Sequence, residues 1–510
     1  MAPRPATPGR RVSSASSPFR ARDAGALVSD LERRAVKGVF WTVIQSVGGR
    51  GLSLAVFVIL ARLLTPADFG LVAMAGVFIA LLEVLVRQGF STAITQREHL
   101  EPAHESTAFW TNIVLSALMG AALWASAGWV AKLYHAPDLA PVVRWLSAIL
   151  PLRALVAVPV GLLQRRLEFR LLAVRSIFGA FVGGVAGVVA AFAGWGVYAL
   201  VVQQLLGGLA EVLAVWGAAA WWPRLTFSMR HLRDLLGFSL HLLGASLLDF
   251  LNRRSDDFLI GMFLGGVALG YYAVAYRVLG VMTQVMAKTG TVVAFSAFSR
   301  LQREPDRMRE AFYRSTQAAS VVATPVFIGV SVVAPTAVPL IFGEQFTQSG
   351  IVLRILALIG VVHAISYYNF AVYVGIGRPD IRLKLLTVHT TVNVVAFFIA
   401  VRWGIVAVAA AYVIRAYVLI PLDLFALRHL IGVSPRHYFR NFAPAALSSA
   451  LMVVALGVVQ RLSLGPAPEL FLSIAVGAAV YSAGMYLLAP ALVRELWSKV
   501  TLMLSRQTAS

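Results

Sequence analysis

Cysteine is absent, and acidic side chains are scarce, with 23 Asp and Glu against 44 Lys and Arg. The first absence excludes disulfides, thiolate metal sites and cysteine nucleophiles. Charged residues are only 13% of the chain beside 59% hydrophobic ones, which excludes an ordinary soluble protein. No Gly-rich phosphate loop follows a strand, so direct ATP use is not expected. The nine histidines show no metal-ligand spacing, so neither cofactor nor metal is expected. A net charge of +21 raises the question of nucleic acid, but the aromatic-plus-basic runs that hold single strands are missing. An anionic bilayer is sufficient partner for a basic membrane chain. The connections are too short for a soluble catalytic module, so an enzyme is not expected either.

What the chain has is apolar length. Mean hydropathy is +0.78, and runs long enough to span a bilayer, roughly 17–25 residues, recur throughout. They predict an all-α integral membrane protein with about 14 transmembrane helices. The predicted helices lie at 38–63, 69–93, 106–131, 139–163, 171–193, 196–221, 235–264, 268–298, 315–342, 350–376, 384–401, 404–427, 442–460 and 470–489. Residues 1–37, rich in Pro, Ser, Ala and Arg, lack the apolar core of a signal peptide and read as a disordered basic cytoplasmic tail.

Orientation follows from the basic residues. Alternate connections on the side of the N-terminus hold 29 Lys and Arg; the opposite side holds five, Arg62, Lys132, Arg144, Arg402 and Arg461. The positive-inside rule then puts both termini in the cytoplasm.

The chain also echoes itself. Leu64-Thr-Pro-Ala-Asp-Phe-Gly70-Leu-Val-Ala73-Met-Ala75 aligns with Leu264-Gly-Gly-Val-Ala-Leu-Gly270-Tyr-Tyr-Ala273-Val-Ala275, and Trp195-Gly196 with Trp403-Gly404. Both echoes fall at equivalent turns of two six-helix blocks that start on the same side. Parallel repeats of this kind are related by an axis along the membrane normal. The expected architecture is two pseudo-symmetric lobes around a central cavity, 38–222 and 223–430, with an extra helix pair at 431–490 and a cytoplasmic tail at 491–510.

Four segments carry a family resemblance. Arg62-Leu-Leu-Thr-Pro-Ala-Asp-Phe-Gly70-Leu, FLNRRSDDFLIGMFLGGVALGYYAVAYRVL (Phe250 to Leu279), Ile341-Phe-Gly-Glu-Gln-Phe and Gly377-Arg-Pro-Asp resemble the Wzx-type polysaccharide flippases, especially relatives of the colanic-acid exporter. These belong to the multidrug/oligosaccharidyl-lipid/polysaccharide exporter superfamily, and the resemblance runs from Arg34 to Leu430. It implies a monomer of the bacterial cytoplasmic membrane that moves undecaprenyl-diphosphate-linked oligosaccharides outward by alternating access. A polysaccharide polymerase and glycosyltransferases are the implied partners. It also implies a two-lobe V, and for the extra pair a lipid-tail groove like that of the lipid II flippases. A multidrug or cation antiporter of the same superfamily is the alternative; acidic and aromatic cavity residues would favour it.

Charges inside the spans are the candidate site, because each costs roughly 2.5–3.5 kcal/mol at the bilayer centre even on a lenient scale. Arg50, Arg87, Arg153, Arg253, Arg254, Arg277, Lys288 and Arg415 are the candidates for diphosphate binding. Arginine's planar fork grips phosphate oxygens in pairs. Glu83, Asp249, Asp256 and Asp257 are candidates for ion coupling, and Gln45, Asn252, Tyr271, Tyr272, Tyr276 and Asn369 for sugar contact. The competing reading is local neutralisation: Glu83 with Arg87, Asp249 with Arg253 and Arg253 with Asp257 are spaced as helix-surface partners. Arg153 and Arg415 have Glu211 or Asp423 as candidate partners.

Overall fold

The computed structural model describes residues 48–49, 51–96, 101–219, 221–495 and 498, and the side chains of these outside 87–96, 234–242 and 287–297. The predicted N-terminal tail, Gln45 and Arg50 lie outside the described residues. No strand occurs among the described residues. That is the expected consequence of a solvent that offers backbone groups no hydrogen bonds.

The first lobe comprises α1 (Gly51–Leu63), α2 (Pro66–Gln96), α3 (Pro102–Leu133), α4 (Leu139–Ser147), α5 (Ile149–Arg165), α6 (Phe169–Phe192) and α7 (Val197–Ala218). Glycines let α6 and α7 approach closely. A methyl group on Gly183 would come within 2.8 Å of the Gly207 Cα, as small-residue packing in membranes requires. The turns before α7 and α12 (Ile405–Val418) place Gly196 (φ 54°) and Gly404 (φ 93°) at the helix starts. The Trp-Gly echo is therefore a repeated turn that needs the left-handed region.

The second lobe opens with α8 (Met229–Arg300), which a straight α-helix would stretch to about 108 Å. It does not run straight, because Gly265 (φ 84°, ψ 179°) breaks it. The Tyr272 hydroxyl donates to Asp256 Oδ2 at 2.7 Å, although sixteen residues of helix would hold them about 24 Å apart. So α8 is a hairpin, with arms matching the separate helices predicted at 235–264 and 268–298. The lobe continues with α9 (Pro305–Phe342), a short 3-10 turn, α10 (Thr347–Gly375), α11 (Pro379–Ala400), α12 and α13 (Ile420–Ile431). Finally α14 (Pro435–Gln460) and α15 (Pro466–Leu488) pack on α9, where the Tyr481 hydroxyl donates to the Val321 carbonyl at 2.7 Å and Thr336 Oγ1 to Glu469 at 3.0 Å.

Twelve described helices are long and apolar enough to cross a membrane. The expected number was fourteen. The α8 hairpin is one of the twelve, running Leu243–Met286, and Gly51–Leu63 is too short to be included.

The lobes converge at one end. There Arg62 donates from Nε to the Ile341 carbonyl at 2.9 Å and from Nη2 to the Leu340 carbonyl at 2.6 Å, and Gln345 donates to the Ala61 carbonyl at 2.9 Å. Phe57 meets Phe342, and Phe69 meets Phe346, each pair with ring centres 5.7 Å apart. One buried core crosses both lobes at this end, including Leu60, Met74, Leu269 and Phe342. At the other end the cores separate, with Phe109 and Leu162 in the first lobe and Phe312, Tyr373 and Leu427 in the second. Among the described residues the two lobes thus share one core at the first end, while at the second their cores are distinct and α8 touches α3 through His231 and Glu101.

Candidate functional site

The ionisable residues of α8 sort themselves around its first arm. Asp249 pairs with Arg253 at 2.9 Å, four residues on, as the spacing predicts. The predicted Arg253–Asp257 pair does not form: Asp257 is taken by Arg254 at 2.7 Å, three residues before it. Asp256 points to the opposite arm. It is 2% exposed and accepts from the Tyr272 hydroxyl and, at 2.9 Å, from the Asp257 amide. Each of these three aspartates thus has a partner, and only Asp256 is held directly by neutral donors.

Behind this arm, inside the second lobe, lies a cavity of about 460 Å³ walled by α8, α10, α11, α12 and α13. Five predicted residues line it: Asn252, Arg253, Tyr276, Asn369 and Arg415. Arg415 is buried and lies over the Tyr412 ring at 5.2 Å. Arg382 adds a third guanidinium, 4.1 Å from the centre of the Phe370 ring. The one carboxylate on the wall, Asp423, faces His389 Nε2 at 3.5 Å. With Arg253 paired to Asp249, Arg382 and Arg415 still outnumber Asp423 and leave the cavity cationic. A second cavity, about 250 Å³ and lined by apolar side chains such as Ile328, Ile365, Leu424 and Phe442, opens between α9, α10, α13 and α14. The two share Val362, Ser366, Asn369 and Asp423, so polar and apolar chambers meet at a common wall.

The other candidates fall elsewhere. Arg277 is exposed and reaches across to the first lobe, 5.7 Å from the centre of the Phe57 ring. Arg153 pairs with Glu83 at 3.3 Å, in place of Glu211, which lies 3.8 Å from Arg175. The Arg87 and Lys288 side chains lie outside the described set, and with them the predicted Glu83–Arg87 pair. Tyr272 is fully buried against Asp256, which removes it from the sugar-facing positions. Tyr271 is partly buried, and its carbonyl accepts from Ser349 Oγ at 2.8 Å.

Sequence reasoning missed Arg382, His363, His389 and Tyr412. Arg382 falls between the helices predicted at 350–376 and 384–401, outside the spans in which buried charges are sought. His363 and His389 carried a usable signal, since ionisable groups within spans are functional candidates by default.

The profile described as polysaccharide biosynthesis protein matches residues 59–351. The chain belongs to the polysaccharide biosynthesis protein family. Relatives in this family include the succinoglycan biosynthesis transport protein ExoT of Rhizobium meliloti, 30% identical over 63% of this chain and 65% of its own length. That match spans slightly under two thirds of ExoT. The teichuronic acid biosynthesis protein TuaB of Bacillus subtilis is 27% identical over 88% of this chain and 95% of its own. The lipopolysaccharide biosynthesis protein WzxC of Escherichia coli is 26% identical over 84% and 89%. Among solved structures, the lipid II flippase MurJ in an inward closed conformation superposes with a TM-score of 0.75 at 13% identity, covering 89% of this chain and all of that one. An inward-facing MATE family transporter of the MOP superfamily reaches 0.60 at 17% identity, over 78% and 99%. At such identities the likeness is one of fold.

Proposed function

We propose that this chain is a flippase that carries lipid-diphosphate-linked oligosaccharides across the bacterial inner membrane for polysaccharide assembly. The observation that carries this reading is the junction of the two cavities at Asn369 and Asp423. A cargo with an anionic headgroup and a long apolar tail needs both environments at once. Arg253, Arg382 and Arg415 suit the diphosphate, since each guanidinium offers paired donors to phosphate oxygens. The apolar chamber suits the tail, and exposed Phe439 and Tyr417 on its lining open it toward lipid. Asn252, Tyr276 and Asn369 stand where sugar hydroxyls would meet them. Arg277, beside Phe57 of the first lobe, would supply a cation between the lobes; for Arg50, Arg87 and Lys288 the same role is proposed from the sequence alone.

Rocking of the lobes about the joined end would carry the headgroup from one face to the other. Asp256 is the strongest coupling candidate, because a carboxyl held directly by neutral donors can change protonation without leaving a partner arginine unpaired. No covalent bond is made or broken in this cycle, which makes the protein a transporter and not an enzyme. The 29-to-5 distribution of basic residues supports cytoplasmic termini. The lobes at 38–222 and 223–430 and the helix pair at 431–490 fit the same reading, with the pair contributing the lipid groove through α14. Relatives named for succinoglycan, teichuronic acid and lipopolysaccharide biosynthesis support a glycan cargo. The excess of arginine disfavours the cationic cargo of a drug antiporter.

The decisive experiment is complementation of a deletion strain with Arg382→Ala, Arg415→Ala and the double variant at matched expression. Loss of surface polymer with accumulation of its lipid-linked precursor is expected. Full export by the double variant would defeat the proposal.

A further inference from the structure

Three side chains able to bind a metal converge where the chain passes from one lobe to the other. Glu101 immediately precedes α3, His104 lies in the first turn of α3, and His231 lies in the first turn of α8. One ligand atom from each lies within 4.8 Å of the other two. His231 Nε2 is 3.4 Å from Glu101 Oε2, and the two imidazole rings stand 4.1 Å apart between centres at 74°. Tetrahedral zinc holds nitrogen and oxygen ligands at about 2.0–2.1 Å, which places ligand atoms about 3.3–3.4 Å from one another. The Glu101–His231 edge already has that length.

His104 is buried, His231 half-buried and Glu101 exposed, so a bound ion would keep one open side for water. The Glu101 amide approaches His104 Nδ1 at 3.4 Å, which puts the lone pair of that nitrogen on the Glu101 side of the ring. Metal at Nδ1 would replace this long contact. Arg230 and Arg233 flank His231 but are exposed, so water screens their charges.

The surroundings are pre-organised. The segment joining the lobes is fastened to the start of α3. Trp221 Nε1 donates to Glu105 at 2.6 Å, the Arg224 amide to Ser106 Oγ at 3.1 Å, and the Ser228 amide to Thr107 Oγ1 at 3.2 Å. These bonds deliver His231 to the Glu101–His104 pair before any ion arrives. Two imidazoles and one carboxylate suit zinc better than calcium or magnesium, which prefer oxygen ligands throughout.

We infer that Glu101, His104 and His231 bind one divalent transition-metal ion of the zinc class, which staples the start of α8 to α3 at the end of the molecule away from the joined lobes. The site is independent of the cargo proposed above. Its spacing in sequence is too wide for any short motif, which is why the histidine pattern gave no sign of it.

The test uses the full chain, purified in detergent with a non-histidine tag and stripped by chelator. Zinc binding is measured by competition dialysis, cobalt binding by its visible absorption, and thermal unfolding is followed with and without zinc. One equivalent of zinc per chain is expected, with a rise in unfolding temperature of several degrees. Glu101→Gln and His231→Gln should each weaken binding at least tenfold, while His437→Gln leaves it unchanged. Glu101→Gln alters an exposed residue, so it stays informative should a variant of buried His104 fail to fold. Absence of zinc binding at micromolar concentration, or binding indifferent to Glu101→Gln and His231→Gln, would overturn the inference and leave only an imidazole–carboxylate ion pair.

Discussion

Gly70 packs directly against the carbonyl oxygen of Gly266, and a methyl group on Gly70 would overlap that oxygen. Its counterpart at the sequence offset of 200, Gly270, meets the carbonyl of Pro66 in the same way. Exchanging the halves maps one contact onto the other, so the pseudo-twofold axis passes between the starts of α2 and the second arm of α8. A side chain at either glycine must push backbone from backbone. Gly70→Val and Gly270→Val are therefore expected to disfavour the joined arrangement by at least ~1–3 kcal/mol.

The natural absence of cysteine provides a clean reporter for this end. Paired substitutions Ala61→Cys and Gln345→Cys should be joined efficiently by a short thiol crosslinker, because the Gln345 side chain already touches the Ala61 carbonyl. Crosslinking should block export, and cleavage should restore it. The ratio of joined to parted forms should fall about tenfold for each ~1.4 kcal/mol lost, so Gly270→Val should lower the crosslinking rate. An unchanged rate in Gly270→Val would show that the gap is not closed here.

Arg62 places its guanidinium on the last carbonyls of α9, where a helix dipole favours a cation. Arg62→Ala should weaken closure in the same crosslinking assay by ~1–3 kcal/mol, the range of a charge-assisted hydrogen bond. Arg62→Lys should recover part of the loss, since an ammonium cannot span both carbonyls as the planar fork does.

Arg153 and Glu83 distinguish a structural ion pair from a cargo contact. If the pair is structural, Arg153→Gln and Glu83→Gln should each lower the unfolding temperature, and the double variant should be less damaged than the sum, by a coupling of ~1 kcal/mol. An Arg153→Gln defect in export that Glu83→Gln does not relieve would assign Arg153 to the cargo.

Tyr272→Phe removes a donor from the buried Asp256 carboxyl. A buried acceptor left short of a partner costs about 1–3 kcal/mol. A lower unfolding temperature is expected, and a Tyr272→Phe protein as stable as the parent would mean that Asp256 finds another donor.

That the chain is an all-helical membrane protein is legible in its amino-acid order alone. Apolar run length, the helix hairpin at Gly265, the repeated Trp-Gly turns and the offset of 200 were all readable, because spanning length and turn chemistry are local properties. The count of fourteen spans is not reached among the described residues, where Gly51–Leu63 falls short and the two arms of α8 count as one helix. Which charged groups pair is not legible in the sequence and emerges from packing. Spacing offered Arg253 two aspartates and Arg153 an acid on α7, yet Asp257 went to Arg254 and Arg153 went to Glu83. Arg382 and Arg415 became neighbours of one cavity, and Glu101, His104 and His231 became one cluster, through packing between distant helices. Helical periodicity states which way a side chain points around its own axis; which group stands opposite depends on how helices are rotated and crossed, and that is set by contacts far apart in the chain.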